Sequence, residues 1–280
     1  ALQATPVRPA SESAAAWRTA RLHELPLVDG ACDPDPLALL QQAGVRTVVL
    51  EDEGYRPRPG GLGKSADATL TEFARLCHEA GLRLVLVLDD DLQRDPLWEA
   101  FRDEVSAVAE DGYAARACPG SAWADYAVEA AAYALARYHA DGIHLRGGAS
   151  PAVCASEQSA NARTWALTGA RELMMRLRTV VDQAGPDRTL TVELPRGVLA
   201  AAAAFADGLV VAATDADGSG RSVEEFTALG GTAGPGTPVE VALPATDDPT
   251  ALHAAIGLGL LHKAGLRPAA GGAGLAMVGD

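Results

Sequence analysis

Acidic side chains recur in this chain wherever a short apolar run stops. Glu51, Asp52 and Glu53 follow VRTVVL, and Asp89, Asp90 and Asp91 follow LRLVLVL. Glu193 lies inside TLTVELP, Asp215 and Asp217 follow DGLVVAAT, and Glu240 and Asp247 belong to TPVEVALP and its sequel. One run, DGIHLR, ends instead in His144 and Arg146. If the runs are strands pointing the same way, all these side chains gather at one rim. Two carboxyl groups there, one protonated and one ionised, are what hydrolysis of a glycosidic bond needs. Glu193 is the first candidate, because a carboxylate inside an apolar strand is costly without a partner. Asp89 is the second, since it directly ends its run. The expected roles are Glu193 as general acid and an aspartate at 89–91 as its ionised partner. Glu51, Asp91, His144, Arg146 and Asp215 would contact substrate. His144 and Arg146 have the same parity and face the same way; facing inward they make a cationic spot that binds acidic sugars or pairs with Glu193. Trp123, with Trp98 and Trp165, is a candidate for stacking on a sugar face, and core packing is the ordinary alternative. For any one of the acids the ordinary alternative is a solvated loop residue or a helix cap.

Other chemistries read poorly. There is no HExxH or HxH spacing, so no metal is expected, and no GxSxG marks a serine nucleophile. GGLGK at 60–64 lacks the phosphate-loop spacing, and no GxGxxG follows the first strand, so no nucleotide cofactor is expected either. The only lysines, Lys64 and Lys263, fall away from strand ends, which argues against a Schiff base. A formal charge of −14 opposes nucleic acid and anionic membranes as partners, and no apolar run is long enough to span a bilayer. Carbohydrate is the expected ligand. Of the four cysteines, Cys77 lies on the apolar face of a helix pattern, and Cys118 and Cys154 flank a loop that a disulfide between them would close. Positions 1–18, small and polar at their start, read as an exposed lead-in or as the start of a processed, secreted chain.

Eight strand candidates carry those side chains: 23–30, 45–52, 82–90, 141–146, 189–195, 207–215, 237–244 and a weak last one at 274–278. Most are continuous apolar runs, which suits parallel strands buried on both faces. Helical spacing fills the gaps: Leu70, Phe73, Ala74 and Cys77; Leu173, Leu177 and Val180; Leu252, Ile256 and Leu260. Gly44, Gly81 and Gly185 stand where the first helices should stop. With apolar residues at 48% and aromatics at 5%, Ala, Leu and Val must build the core. Repeated strand–helix units over residues 19–280 predict a single (β/α)8 TIM-type barrel with its chemistry at the C-terminal mouth. An open doubly wound sheet is the second reading.

The order of motifs resembles a known group. FARLCHEAGLRLVLVL, then C-x-x-S-x-W-x-D-Y at 118–126, RYHADGIHL, Cys154, ARELMMRLRTVV, TLTVELP and AFADG are similar to glycoside-hydrolase-like (β/α)8 domains of the DUF6067 and hexosaminidase-like group. The likeness covers about residues 40 to 215. It implies a glycosidase barrel, but the polar positions depart from the group. Its strand-four Tyr and Asp are His144 and Arg146 here, its histidine-bearing loop is ASEQSANAR, and Val211 and Ala212 stand for its Gly-Glu. The resemblance therefore implies either a site rebuilt around Glu193 and Asp89 or a barrel that kept the fold and lost catalysis, serving as a glycan-binding or protein-interaction domain.

Overall fold

The computed structural model describes residues 19–91, 106–108, 115–147, 166–194, 204–212, 239–242, 261–262, 264–268 and 275–277. A curled parallel sheet forms the centre. Its strands are β1 (Thr19–Leu22), β4 (Thr47–Leu50), β5 (Arg83–Asp89), β8 (Gly142–Arg146), β9 (Thr189–Leu194), β10 (Gly208–Ala212), β11 (Val239–Ala242), β12 (Leu261–His262) and β13 (Ala264–Pro268). Each pairs in parallel with its neighbour, in the order β12-β11-β10-β9-β8-β5-β4-β1-β13, and β14 (Leu275–Met277) adds an antiparallel edge to β13. Two hairpins lie apart from the sheet: β2 (Leu27–Val28) with β3 (Ala31–Cys32), and β6 (Ser106–Val108) with β7 (Ala115–Ala117). The helices are α1 (Asp35–Gln42), α2 (Lys64–Glu79), α3 (Trp123–Arg137) and α4 (Ala166–Ala184).

The two sheet faces differ in chemistry. Ala20, Leu22, Val48, Leu50, Leu84, Leu86, Ile143, Leu145, Leu190 and Val192 face the helices and join one buried core with Leu70, Phe73, Trp123 and Leu177. The alternate residues face the other way, where Val49, Val85 and Val87 form a small apolar cluster of their own. On that inner face the buried residues Thr47, His144, Thr189, Thr191 and Arg21 add polar groups. Burial on both faces explains why the strands read as unbroken apolar runs.

Small residues set the close approaches. A Cβ on Gly142 would lie 2.3 Å from the Thr189 hydroxyl and 2.6 Å from its carbonyl oxygen, so β8 can meet β9 only with glycine there. In α3, Ala127, Ala130, Ala131 and Ala134 are buried. On α4, a Cβ at Gly169 would come within 2.8 Å of the Gly120 nitrogen. Alanine and glycine thus do the packing that a core poor in aromatics requires.

Two expectations need correction. The first strand lies at 19–22, not at 23–30: Pro26 withholds a ladder donor, and Asp29 (φ 52°) with Gly30 (φ 80°) turn the chain into the short β2–β3 hairpin. The parallel partner of β1 on its other side is β13, at 264–268, and the 274–278 segment runs antiparallel beyond it. The helical repeat at 252–260 and the lead-in 1–18 lie outside the described residues.

Candidate functional site

Parallel pairing brings the strand ends to one edge. Asp89, Arg146 and Glu193 are direct partners across β5, β8 and β9, and one row deeper stand Val87, His144 and Thr191. Glu51 follows β4, and its amide donates to the Leu22 carbonyl at 2.7 Å, which fixes it beside the end of β1.

Arg146 sits in the middle of the carboxylates. Its Nη1 is 3.3 Å from Asp89 Oδ2, its Nη2 3.4 Å from Glu51 Oε2 and its Nε 3.8 Å from Glu193 Oε2. Two further guanidinium groups close the ring. Arg56 Nη2 donates to Asp89 Oδ2 at 3.1 Å. Arg21 donates to Glu51 Oε1, approaches His144 Nε2 at 3.4 Å and stands 4.0 Å from Glu193 Oε2. His23 Nδ1 meets Glu51 Oε2 at 3.0 Å from the exposed rim.

His144 is buried on the inner face. Its Nδ1 lies 2.9 Å from Thr191 Oγ1 and its Nε2 3.4 Å from Glu193 Oε2. Burial, and then the nearby Arg21 charge, push its pKa down to about 4, so the ring is neutral at physiological pH. A neutral ring carries one proton: on Nε2 it donates to Glu193, on Nδ1 it donates to Thr191 and leaves Nε2 to accept from Arg21.

Two of the acids, Glu193 and Glu51, are held ionised. For Glu193, burial works against the charge, but the His144 hydrogen bond and the Arg21 and Arg146 guanidinium groups prevail and hold its carboxyl below the ordinary range. For Glu51 burial is again outweighed, here by Arg21 and Arg146. The role of general acid expected for Glu193 does not fit this setting, because a carboxyl held down by cations has no proton to give near neutrality.

The candidate residues thus sort themselves. Glu51, Asp89, His144, Arg146 and Glu193 are together; Asp91 sits just beyond, its amide donating to Asp89 Oδ1 at 2.9 Å. His144 lies beneath the ring and cannot touch a ligand at the mouth, since its side chain is 1% exposed. Trp123 is packed in the helix-side core and offers no face to a sugar. Asp215, Asp217, Asp247, Trp98 and Trp165 lie outside the described residues, and the side chain of Glu240 is not described. Arg21 and Arg56 were not foreseen. Arg21 lies in TARL, which carries no strand signal strong enough to place it, and Arg56 sits in a Pro-rich loop; neither has a spacing that sequence reasoning could use. Among the described residues no group of three or more His, Cys, Asp and Glu could hold a metal ion. No helix of the described residues is long and apolar enough to cross a membrane. Cys118 is disulfide-bonded while Cys32 and Cys77 are free thiols, and the remaining cysteine of the sequence, Cys154, lies outside the described residues.

The motifs behind the family likeness prove to be architectural. Ser121 Oγ accepts from the Trp123 amide at the start of α3, and Trp123 fills the core. Asp125 pairs with Arg176 across α3 and α4 at 2.6 Å. The aspartate of AFADG, Asp207, is buried against Arg178 at 2.6 Å and accepts the Leu190 amide at 2.9 Å.

Solved structures share this framework. The glycoside hydrolase domain of a PelA variant from Pseudomonas aeruginosa aligns with TM-score 0.52 and 18% identity, over 80% of this chain and 82% of that one. The maltogenic alpha-amylase AmyB from Thermotoga neapolitana aligns with TM-score 0.51 and 11% identity, over 81% and 59%. Alpha-L-fucosidase isoenzyme 2 from Paenibacillus thiaminolyticus gives 0.51 and 12%, over 86% and 48%. The fold is glycoside-hydrolase-like. The chain spans about half of the fucosidase and three-fifths of the amylase, so the likeness concerns the fold alone. No protein-family model and no curated protein matches the sequence.

Proposed function

We propose that this chain is a closed (β/α)8 barrel that binds carbohydrate at the C-terminal ends of its strands without hydrolysing it by the two-carboxylate route. Closure is supported by the last parallel strand: β12 pairs with β11 and β13 pairs with β1, with only Lys263 between the two segments. The ring would then hold eight parallel strands, as a TIM-type barrel requires. Kinship with the DUF6067 and hexosaminidase-like group belongs to this proposal.

One observation carries the non-hydrolytic reading. Arg146 occupies the strand-four position where the resemblance puts a carboxylate, and it lies within 3.8 Å of Glu51, Asp89 and Glu193 alike. Glycosidases need one of two carboxyls protonated. Here a guanidinium stands among the acids and favours the charged forms of Glu51 and Glu193. The rival reading, hydrolysis with Glu193 as an ionised nucleophile or base, is supported by its partly open carboxylate, 22% exposed at the mouth. A panel of oligosaccharides separates the two. Binding by calorimetry with no new reducing ends supports the proposal; steady release of product that Glu193→Gln abolishes would refute it.

A further inference from the structure

The following inference rests on the carbohydrate reading above and narrows the ligand. The ring at the mouth is balanced in charge. Arg21, Arg56 and Arg146 face Glu51, Asp89 and Glu193, every contact lying within 4.0 Å, and the His144 beneath is neutral. Glu53 and His23 add to the rim, but both are more than half exposed and are screened by water. Within the ring, each carboxylate already meets a guanidinium. A charged ligand entering it would bring a charge with no free counter-charge among the described residues, above a floor made by Val49, Val85 and Val87.

Hydrogen-bonding capacity is not balanced in the same way. Among the described residues Arg146 makes ion pairs at 3.3–3.8 Å but no hydrogen bond; its Nη2 is buried against Glu51, so a ligand can reach only the rest of the guanidinium. Its side chain is 24% exposed and that of Glu193 22%, whereas Glu51, Asp89 and Arg21 are nearly closed off. Arg146 and Glu193 are also direct cross-strand partners. The open part of the ring is therefore one planar donor beside one planar acceptor. Neighbouring hydroxyls on a sugar ring match that pair: one accepts from the guanidinium, the other donates to the carboxylate, and neither brings a charge.

We infer that the mouth selects a neutral sugar residue, held by adjacent hydroxyls laid across Arg146 and Glu193. A glycan array carrying neutral, carboxylate- or sulfate-bearing, and free-amine glycans tests this on the full chain at about 50 and about 500 mM NaCl. Neutral glycans should be retained, with signals changing less than about twofold between the two salts. Arg146→Gln and Glu193→Gln should each weaken that binding by about tenfold, the loss of one charge-assisted hydrogen bond, with circular dichroism confirming the fold; if one variant does not fold, the other decides. Preferential retention of charged glycans would overturn the inference and leave the carbohydrate reading standing. Neutral binding untouched in a folded variant would also overturn it. No glycan retained at all would sink both.

Discussion

Acidification should destabilise this protein through one side chain. In the folded chain the His144 pKa is pushed from 6.5 to about 4, by burial first and by Arg21 second. In the unfolded chain the ring regains its ordinary value. Between those two values the unfolded state binds a proton that the folded state refuses, so stability rises with pH across the window and is lost as pH falls through it. Above 6.5 both states are neutral there and the residue adds no slope. Inside the window each pH unit costs about 1.4 kcal/mol, or about 3 kcal/mol by pH 4. Urea unfolding from about pH 7 to about pH 4, on the native chain and on His144→Gln, isolates the effect. Glutamine keeps a polar partner for Thr191 but cannot titrate. The variant should start less stable and lose about 3 kcal/mol less over the range. Glu193 enters only at the acid end of the range, because its depressed carboxyl gives stability that is present above 4.5 and lost only below it, so the slope between about pH 6.5 and about pH 4.5 is the part that reports His144. Parallel curves for the two proteins would refute the reasoning, and would mean that His144 is protonated in the fold or open to water.

Three further substitutions probe the framework. Asp207→Ala removes the buried one of the two carboxylates that Arg178 meets, leaving it only the half-exposed Asp182, and takes the acceptor from the Leu190 amide; it should cost about 3 kcal/mol in denaturant unfolding, with a smaller loss in a double variant that also replaces Arg178 by Met. Gly142→Ala forces a Cβ onto Thr189 and should cost about 3 kcal/mol or prevent folding, visible as a lowered midpoint or insoluble product. Trp123→Ala should cost about 3–5 kcal/mol in stability yet leave glycan affinity of the folded fraction unchanged, because the indole lies in the core away from the mouth; weakened binding in folded protein would return Trp123 to the site.

The architecture was legible where period and punctuation agree. Unbroken apolar runs announced β4, β5, β8 and β9 because both sheet faces are covered, and Gly44 and Gly81 marked helix ends through the positive φ that they adopt (78° and 68°). The ends of the sheet were not legible. TARL is four residues with an arginine at its third position, and its identity as β1 comes from pairing with β4 and β13, which no local pattern contains. The segment of β12 and β13 offered no strand candidate in the sequence, because its pairing is set by distant partners. In the site, parity foretold that His144 and Arg146 share a face, and strand-end logic brought Glu51, Asp89 and Glu193 together. What sequence could not supply was the counter-charge. Arg21 and Arg56 reach the ring from 30 and 33 residues before the acids they bind, and Arg21, with Arg146, helps to hold the Glu193 carboxyl below the ordinary range.

At the opposite end of the sheet, Asp141 ties three separate units with one carboxylate. Its Oδ2 accepts the Leu84 amide of β5 at 2.9 Å and meets His78 Nε2 of α2 at 2.8 Å, while Oδ1 accepts from Arg188, just ahead of β9. A strand held this way has no private route to opening, since releasing β8 leaves a carboxylate, an amide and a guanidinium stranded together. The amide protons of β5, β8 and β9 should therefore exchange with solvent through one shared unfolding event, making these three ribbons a single cooperative block.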